Sequence, residues 1–285
     1  MKLVHVTDTH LVPRGERLHG LDPCARLEAC VADINRHHAD AELCVITGDL
    51  AHHGTRKAYR DLRAAVARLT MPVHLLVGNH DRRDALREVF PELAVDAHGF
   101  VQRVVATSAG TFLLLDTVEH GKGWGSFCAA RRAWLKARLD EAGDTPVFLF
   151  MHHAPFHAGL PAVDRLGLGG DGERLGELLA PYRSIRHLFF GHFHRPICGS
   201  WRGIPVSTMR GTNHQVPFDF DALEVVPKSH EPPAYAVAFI DPDQVIVHFH
   251  DYLDASALPY DKPSEGRPDF VPPRAARAGP GRTAP

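Results

Sequence analysis

The sequence predicts an α/β or mixed α+β fold built in layers, because short apolar runs alternate with stretches of helical periodicity. The first run covers residues 3–6. A helix is predicted to begin at Asp22-Pro23, with Asp22 as N-cap and Pro23 in the first helical position. Further helices are predicted around 59–69, 82–90 and 175–182, where apolar side chains recur on one face. Further strands are predicted at 43–46, 73–77, 111–115, 147–151, 187–190, 204–209, 235–240 and 244–250.

The C-terminal part of the chain departs from this alternation. Residues 211–233 contain four prolines and little periodicity, so we expect a long loop that forms a cap or a dimerisation surface. Residues 263–285 are rich in Pro, Arg, Ala and Gly and are predicted to be a disordered tail. The expected organisation is one domain over residues 1–262 followed by this tail, with a homo-oligomer left open.

Composition limits the functions that the chain can have. The chain has 285 residues, is 44% hydrophobic and carries a formal net charge of −2, so no bulk positive field is available to hold nucleic acid. No apolar stretch is long enough to span a membrane, and no signal peptide precedes the first strand, so we expect a cytoplasmic protein without a membrane partner. The five cysteines form no CxxC pair, which favours reduced thiols.

The most informative residues follow five of the predicted strands. Each of these apolar runs ends in a carboxylate, an amide or an imidazole, and functional sites in α/β sheets form at the carboxyl ends of strands. We therefore expect these side chains to converge on one place. The five groups are Asp8-Thr9-His10, Gly48-Asp49, Gly78-Asn79-His80-Asp81, His152-His153 and Gly191-His192-Phe193-His194.

Spacing and chemistry within these groups indicate a metal centre. Residues i and i+2 of an extended chain point the same way, so Asp8 and His10 can reach one ion together, as can His192 and His194. The candidate ligands offer nitrogen and oxygen but no thiolate, which suits Fe, Mn, Zn or Co better than a structural zinc site. One dinuclear site explains the five groups better than five separate accidents.

The motifs DxH, GD, GNH, H and GHxH, in this order, resemble those of the calcineurin-like metallophosphoesterases over roughly residues 1–215. Within that family, the stretches DTHLVPRGERLHG, MHHAP and GTNHQVPF are similar to the bacterial glycerophosphodiesterases and the class III cyclic-nucleotide phosphodiesterases. The resemblance implies a four-layer αββα sandwich of two mixed sheets. It also implies hydrolysis of small phosphodiesters, either glycerophosphodiesters or 3′,5′-cyclic nucleotides or both, by in-line attack of a metal-bound hydroxide, and the local matches favour a promiscuous enzyme of the glycerophosphodiesterase type.

The resemblance further implies a role for each matching residue. His80 is expected to contact the phosphoryl group and to protonate the leaving alkoxide, so His80 and Asp49 are the expected catalytic residues. His80, Asn79 and His214 are the expected substrate-binding residues. Seven side chains are the implied metal ligands, with Asp49 shared: Asp8, His10, Asp49 and His194 for metal one, and Asp49, Asn79, His152 and His192 for metal two.

Three other functions are weighed against this one. Protein phosphatases of the same superfamily usually carry GDxxDRG, whereas this chain has GDLAHHG, which counts against a phosphomonoesterase. A nuclease needs a nucleic-acid-binding surface, which the near-neutral charge does not supply. A catalytically silent scaffold would bring seven polar groups together without an ion, at a high cost in desolvation.

Other polar residues near these motifs have two interpretations each. His52, His53 and His157 can line the entrance to the site, although a surface position is expected for them. His153 is expected to support the site or the core. Asp81 can either orient His80 or cap the helix that follows it.

Overall fold

The computed structural model describes residues 1–256, and Met1–Leu253 pack as one unit. None of the helices in this part of the chain is long and apolar enough to cross a membrane. The predicted domain end at 262 and the predicted tail at 263–285 lie outside the described residues. The elements are, in chain order, β1 (Lys2–Val6), α1 (Pro23–His37), β2 (Leu43–Thr47), α2 (Arg56–Val66), β3 (Val73–Leu76), α3 (Arg83–Val89), β4 (Arg103–Thr107), β5 (Gly110–Leu114), α4 (Ala129–Ala142), β6 (Val147–Phe150), α5 (Pro161–Asp164), α6 (Gly170–Leu179), β7 (Ile185–Phe189), β8 (Ile197–Trp201), β9 (Ile204–Thr208), β10 (Tyr235–Ile240) and β11 (Val245–His250).

Two mixed sheets form the middle of the fold. The first has the strand order β11-β10-β1-β2-β3, in which β1, β2 and β3 are parallel and β10 and β11 are added antiparallel. The second has the order β4-β5-β6-β7-β9-β8, in which β5, β6, β7 and β9 are parallel and both edge strands are antiparallel. The five strands that precede the predicted polar groups are all among the parallel ones, so their carboxyl ends share one edge within each sheet.

Three apolar clusters separate four layers. One lies between the two sheets and includes Leu3, Val45, Phe112, Phe150 and Phe189. A second packs α1, α2 and α3 against the first sheet, and a third packs α4 and α6 against the second sheet. The arrangement is the αββα sandwich that the family resemblance implied, which confirms that prediction.

Most elements lie where the hydrophobic pattern predicts them. Asp22 is the N-cap of α1 and Pro23 is its first residue, as the sequence indicated. Four elements were not predicted, namely β4, β8, α4 and α5. In α4 the buried side chains are Leu135, Leu139 and Arg131, so a charged residue occupies the inward face and interrupts the apolar period.

The stretch 209–234 connects β9 to β10 and contains no helix or strand of its own. One isolated bridge, between Gln215 and Ser229, closes it into a loop. Residues 211–233, which the sequence analysis expects to form a cap or dimerisation loop, lie within this stretch. Its role as a cap or as an interface between copies remains a prediction at this point.

Candidate metal centre

The carboxyl ends of five parallel strands, β1, β2 and β3 in one sheet and β6 and β7 in the other, meet at one edge of the sandwich. A hydrogen bond crosses between the sheets here, from the His192 N–H to Asp8 Oδ2 at 3.0 Å. The loops approach so closely that a Cβ added to Gly78 would lie 2.2 Å from Asp49 Oδ1, so a glycine is required at that position. The fold therefore brings the five predicted groups together.

The backbone is left-handed at several positions in these loops where no glycine is present. Seven non-glycine residues of the described chain have positive φ. Five of them are predicted metal ligands, with φ between 45° and 73°: Asp8, His10, Asp49, His192 and His194. Strain of this kind costs on the order of 1–3 kcal/mol per residue, so its concentration here points to a functional site.

Four of the predicted ligands form the first group. The ligand atoms of Asp8, His10, Asp49 and His194 all lie within 4.8 Å of one another and are buried. His10 Nε2 is 3.1 Å from His194 Nε2 and 3.4 Å from Asp49 Oδ2, and His194 Nε2 is 3.3 Å from Asp8 Oδ1. Two imidazole nitrogens and two carboxylate oxygens thus point at the same small volume.

The second group shares Asp49 with the first. His152 Nε2 is 3.5 Å from Asp49 Oδ2 and 3.1 Å from Asn79 Oδ1, and the His192 ring centroid is 5.1 Å from that of His152. The other oxygen of Asp49, Oδ1, accepts the backbone N–H of His80 at 2.8 Å. Oδ2 alone therefore faces both groups, which is the placement that a bridging carboxylate oxygen needs.

Hydrogen bonds at the far side of each ring orient the imidazoles. His152 Nδ1 donates to the carbonyl oxygen of Thr47 at 2.8 Å, and His194 Nδ1 donates to that of His214 at 2.7 Å. A carbonyl can only accept, so these bonds place the ring proton on Nδ1 and leave Nε2 free to bind a cation. His10 Nδ1 lies instead 3.2 Å from Nδ1 of another imidazole, His52.

The charges of the cluster call for a cation at its centre. Burial acts to raise the pKa of the Asp49 carboxyl, but the imidazoles of His152, His80 and His10 hold it well below its usual value. Burial likewise acts to lower the pKa of His152, yet Asp49 and Asp8 raise it to about 9. The Asp49 carboxylate is therefore ionised, and the protonated imidazole of His152 supplies positive charge beside it.

Two buried atoms of the cluster test whether a metal ion fits. Asp8 Oδ1 and His192 Nε2 have no hydrogen-bond partner within the described residues. Burial, followed by the charge of His152, lowers the pKa of His192 to about 3, so this imidazole is neutral and retains a lone pair. Unpartnered buried acceptors are costly unless an ion satisfies them, so the residues present fit a pair of metal ions.

A cleft with a volume of about 290 Å³ opens onto this cluster. Its polar wall includes His80, whose side chain is 34% exposed and whose Nε2 is 4.0 Å from Asp49 Oδ2. Three aliphatic side chains and a lysine also line the cleft. The lining includes the polar residues Asn79, His80 and His214, the aliphatic residues Val163, Leu166 and Val226, and Lys228. Both predicted substrate-binding histidines therefore face the space where a substrate would lie.

Comparison with known proteins identifies the family. A family model described as "Calcineurin-like phosphoesterase" matches residues 1–196. The chain belongs to this family. Calcineurin-like phosphoesterases use a binuclear metal centre, and the buried cluster of aspartates and histidines is able to bind metal. The resemblance stated from the sequence motifs is thereby confirmed.

Individual relatives show how far the similarity extends. A probable cyclic nucleotide phosphodiesterase of Rhodopseudomonas palustris is 46% identical over 87% of this chain and 91% of its own length. A probable glycerophosphodiester phosphodiesterase, GpdQ, of Arcobacter nitrofigilis is 29% identical over 91% of this chain and 96% of its own length. A dimetal phosphatase from Danio rerio, 16% identical, superposes with a TM-score of 0.68 over 89% of this chain and 96% of that chain, which shows a shared fold.

Asp81 has a role that neither of its two sequence interpretations included. Asp81 does not cap α3. Its carboxylate accepts the N–H groups of Leu50 at 3.0 Å, Ala51 at 3.1 Å and Gly78 at 2.9 Å, and the hydroxyl of Tyr59 at 2.9 Å. Asp81 therefore ties the loop that carries Asp49 to the loop that carries Asn79, because its four bonds reach both.

The surface position expected for His52 is wrong. His52 is half-buried, and its ring contacts His10 and stacks on His80. His53 and His157 are exposed, as expected. The contact between His52 and His10 joins two loops that are distant in sequence. The sequence feature that could have indicated a position in the site is that His52 stands three residues after Asp49.

His153, the second histidine of the His152-His153 pair, is buried beside the cluster. Its Nδ1 lies 2.8 Å from the Thr117 hydroxyl, and its ring centroid is 4.9 Å from that of His192. The ring of His153 therefore packs against the predicted ligands, and it is His152 whose Nε2 reaches Asp49.

Proposed function

We propose that this chain is a binuclear metal-dependent phosphodiesterase that hydrolyses small phosphodiesters. The observation that carries the proposal is the pair of ligand groups that share Asp49 Oδ2, with His80 beside them in the lining of a cleft. The ligands in this proposal are the seven predicted from the motifs: Asp8, His10, Asp49, Asn79, His152, His192 and His194. Nitrogen and oxygen donors in these positions suit Fe, Mn, Zn or Co.

Within this class, 3′,5′-cyclic nucleotides are the first candidate substrates and glycerophosphodiesters the second. The names of the relatives support both, and the relative at 46% identity is named for cyclic nucleotides. The aliphatic side chains of Val163, Leu166 and Val226 in the cleft lining favour the same order, because a nucleobase buries more apolar surface than a glycerol headgroup does.

The two ions, when bound, supply positive charge for the phosphoryl oxygens and a water whose pKa is lowered toward neutrality. The chain's own residues then position the reaction. His80 Nδ1 donates to the carbonyl of His52 at 2.8 Å, which leaves Nε2 directed toward Asp49 and the cleft. A second proton on Nε2 can therefore pass to the leaving oxygen when the P–O bond breaks. His214 and Lys228 flank the same space and can hold the rest of the substrate.

The loop 211–233 acts as a cap over the cleft in this proposal. His214, Val226 and Lys228 of the loop line the cleft. His214 is also fixed to the metal centre, because its carbonyl accepts the Nδ1–H of His194. A cytoplasmic location, which the sequence predicts, agrees with small soluble phosphodiesters as substrates.

The test compares hydrolysis of bis(p-nitrophenyl) phosphate, 3′,5′-cyclic AMP, glycerophosphoethanolamine and p-nitrophenyl phosphate. Each is assayed with the metal removed by EDTA and again after Mn²⁺ is added back. His152→Ala and His157→Ala form a matched pair, because both histidines follow β6 but one is a proposed ligand and the other is exposed.

We expect activity on the diesters that disappears with EDTA, returns with Mn²⁺, is lost in His152→Ala and is retained in His157→Ala. A preference for p-nitrophenyl phosphate would contradict the diesterase assignment and indicate a phosphomonoesterase. Absence of turnover with every substrate and metal would indicate a scaffold that has kept the fold without the activity.

A further inference from the structure

The imidazole of His52 contacts two members of the site at once. Its Nδ1 lies 3.2 Å from Nδ1 of His10. Its ring stacks on that of His80, with centroids 4.6 Å apart and planes inclined by 21°. Its backbone carbonyl accepts Nδ1–H of His80 at 2.8 Å. One residue thus contacts both a proposed metal ligand and the proposed acid.

The contact between His52 and His10 requires one proton between the two ring nitrogens, because each neutral imidazole has one donor and one acceptor. Nε2 of His10 faces His194 Nε2 at 3.1 Å and Asp49 Oδ2 at 3.4 Å, so its lone pair is the one that can hold a cation. The proton of His10 is then on Nδ1, and His52 accepts it through its own Nδ1.

This arrangement sets His10 apart from two other proposed ligands. His152 and His194 are oriented by backbone carbonyls, those of Thr47 and His214. Such bonds survive a change of side chain at the accepting residue. The orientation of His10 depends on a side chain, so it can be removed by a single substitution.

We propose that His52 is a positioning residue that fixes the tautomer and ring orientation of His10, and thereby the metal affinity of the first ligand group. The inference rests on the proposed ligand role of His10. Groups that hold the distal nitrogen of a ligating histidine typically change metal affinity or activity by about 10–100-fold when they are replaced. Stacking on His80 is a second contact through which the same ring can act.

The backbone around His52 makes the substitution clean. His52 N–H donates to Leu11 O at 2.9 Å, and its carbonyl holds His80, and neither bond involves the side chain. Its side chain is half-buried at the cleft and not part of the apolar core. Variants at this position should therefore fold.

Three replacements separate the hydrogen bond from the bulk of the ring. His52→Ala removes the acceptor. His52→Asn restores an acceptor oxygen one bond from Cγ, which is where Nδ1 of histidine stands, and His52→Gln places the oxygen one carbon farther out. His53→Ala is the matched control, because His53 is an exposed neighbouring imidazole whose ring contacts His52 but, within the described residues, is bonded to neither His10 nor His80.

Two measurements are made on each protein. The first is an ¹⁵N-edited spectrum of the metal-free, histidine-labelled protein, in which the proton shared by His10 and His52 gives a ring N–H signal protected from exchange. The second is the affinity for Mn²⁺, measured by competition with a chelator. We expect His52→Ala to lose the signal and to bind Mn²⁺ about 10–100-fold more weakly. His52→Asn and His53→Ala should stay close to the unmodified protein in both, and His52→Gln should resemble His52→Ala.

An unchanged signal and an unchanged Mn²⁺ affinity in His52→Ala would overturn the inference. Equal impairment of His52→Asn and His52→Ala would overturn it as well, because the ring rather than its acceptor nitrogen would then matter. Failure of the unmodified protein to bind Mn²⁺ would contradict the proposed ligand set. In that case the spectrum of the metal-free protein still decides whether His52 holds His10.

Discussion

Two histidines buried between the sheets should make the protein sensitive to acid, independently of the metal. His5 is fully buried on β1, its Nε2 is 2.8 Å from the Thr47 hydroxyl, and its Nδ1 has no partner within the described residues. Burial lowers the pKa of His5 from 6.5 to about 3 and that of His187 to about 4. The Asp8 carboxylate favours the charged form of His5, but burial outweighs this attraction, and His187 disfavours the charged form further.

The sign of the effect follows from the direction of these shifts. A histidine whose pKa is lower in the folded state binds its proton more readily in the unfolded state, so the free energy of unfolding falls as the pH falls below 6.5. At pH 5, which is 1.5 units below the unfolded value, 1.5 × 1.36 gives a loss of about 2 kcal/mol for His5. His187 contributes a similar loss, about 2 kcal/mol, because its folded pKa also lies below 5. The loss continues to grow until the pH reaches the folded values.

The assay is urea denaturation in EDTA at pH 8 and pH 5, for the unmodified protein, His5→Gln and His248→Gln. His5→Gln keeps a polar group near Thr47 but cannot titrate, so its loss of unfolding free energy between the two pH values should be smaller by about 2 kcal/mol. His248 is exposed on β11, so His248→Gln should lose as much as the unmodified protein. Buried groups that do not interact with His5 contribute equally to all three proteins and cancel in the comparison, whereas the charges of Asp8 and His187 act on His5 and count as part of its effect. An equal loss in His5→Gln and the unmodified protein, with unchanged m-values, would refute the reasoning.

The remaining predictions concern the site. Asn79→Ala removes an oxygen 3.1 Å from His152 Nε2, so it should weaken binding of the second ion and lower turnover steeply while the fold survives. Metal analysis and circular dichroism would show this, and full activity with both ions bound would contradict the ligand role. His80→Gln should lower turnover by about 10²–10⁴-fold with metal content unchanged, and loss of metal would mean that His80 is a ligand. Asp81→Asn turns an amide NH₂ toward backbone N–H groups that now donate to a carboxylate oxygen, so urea denaturation should show that the free energy of unfolding falls by an amount on the order of 2–4 kcal/mol. An unchanged free energy of unfolding would contradict the view that Asp81 acts as a clamp between the loops after β2 and β3. Removal of metal by EDTA should lower the midpoint of thermal unfolding, since an ion present at 100 times its dissociation constant stabilises the folded state by about 2.7 kcal/mol; an unchanged midpoint would argue against bound ions.

The candidate site was predictable because strand ends carry a local signal. Each ligand group stands directly after an apolar run, as Asp8 follows β1 and His192 follows β7, so neighbouring residues alone located it. The parallel order of those strands then placed the groups at one edge. Residues that act across loops gave no such signal: Asp81 reaches Leu50 and Ala51, and these contacts exist only when the loops after β2 and β3 are folded side by side.

The fold was predictable to a similar extent and failed for a related reason. The helices with a continuous apolar face, such as α1, were located from their periodicity. In α4, Arg131 occupies a buried position because its guanidinium donates to the carbonyls of Asp116 and Val118 and packs over the Phe100 ring at 4.3 Å. A buried arginine reads as a surface residue in a pattern of apolar and polar positions, so a helix that depends on such a contact cannot be recognised from periodicity.

Five proposed ligands have a left-handed backbone, and the strain of this conformation explains why many hydrogen bonds outside the ligand set support the loops of the site. At about 1–3 kcal/mol each, five such residues cost roughly 5–15 kcal/mol, which equals the whole stability of an ordinary domain. The buried ion pair between His152 and Asp49 offsets little of this strain, because both groups lose their hydration, so the ligands alone do not balance it. The strain has to be balanced by the surrounding structure, through the three apolar clusters, the hydrogen bonds of Asp81 and the backbone bonds between loops.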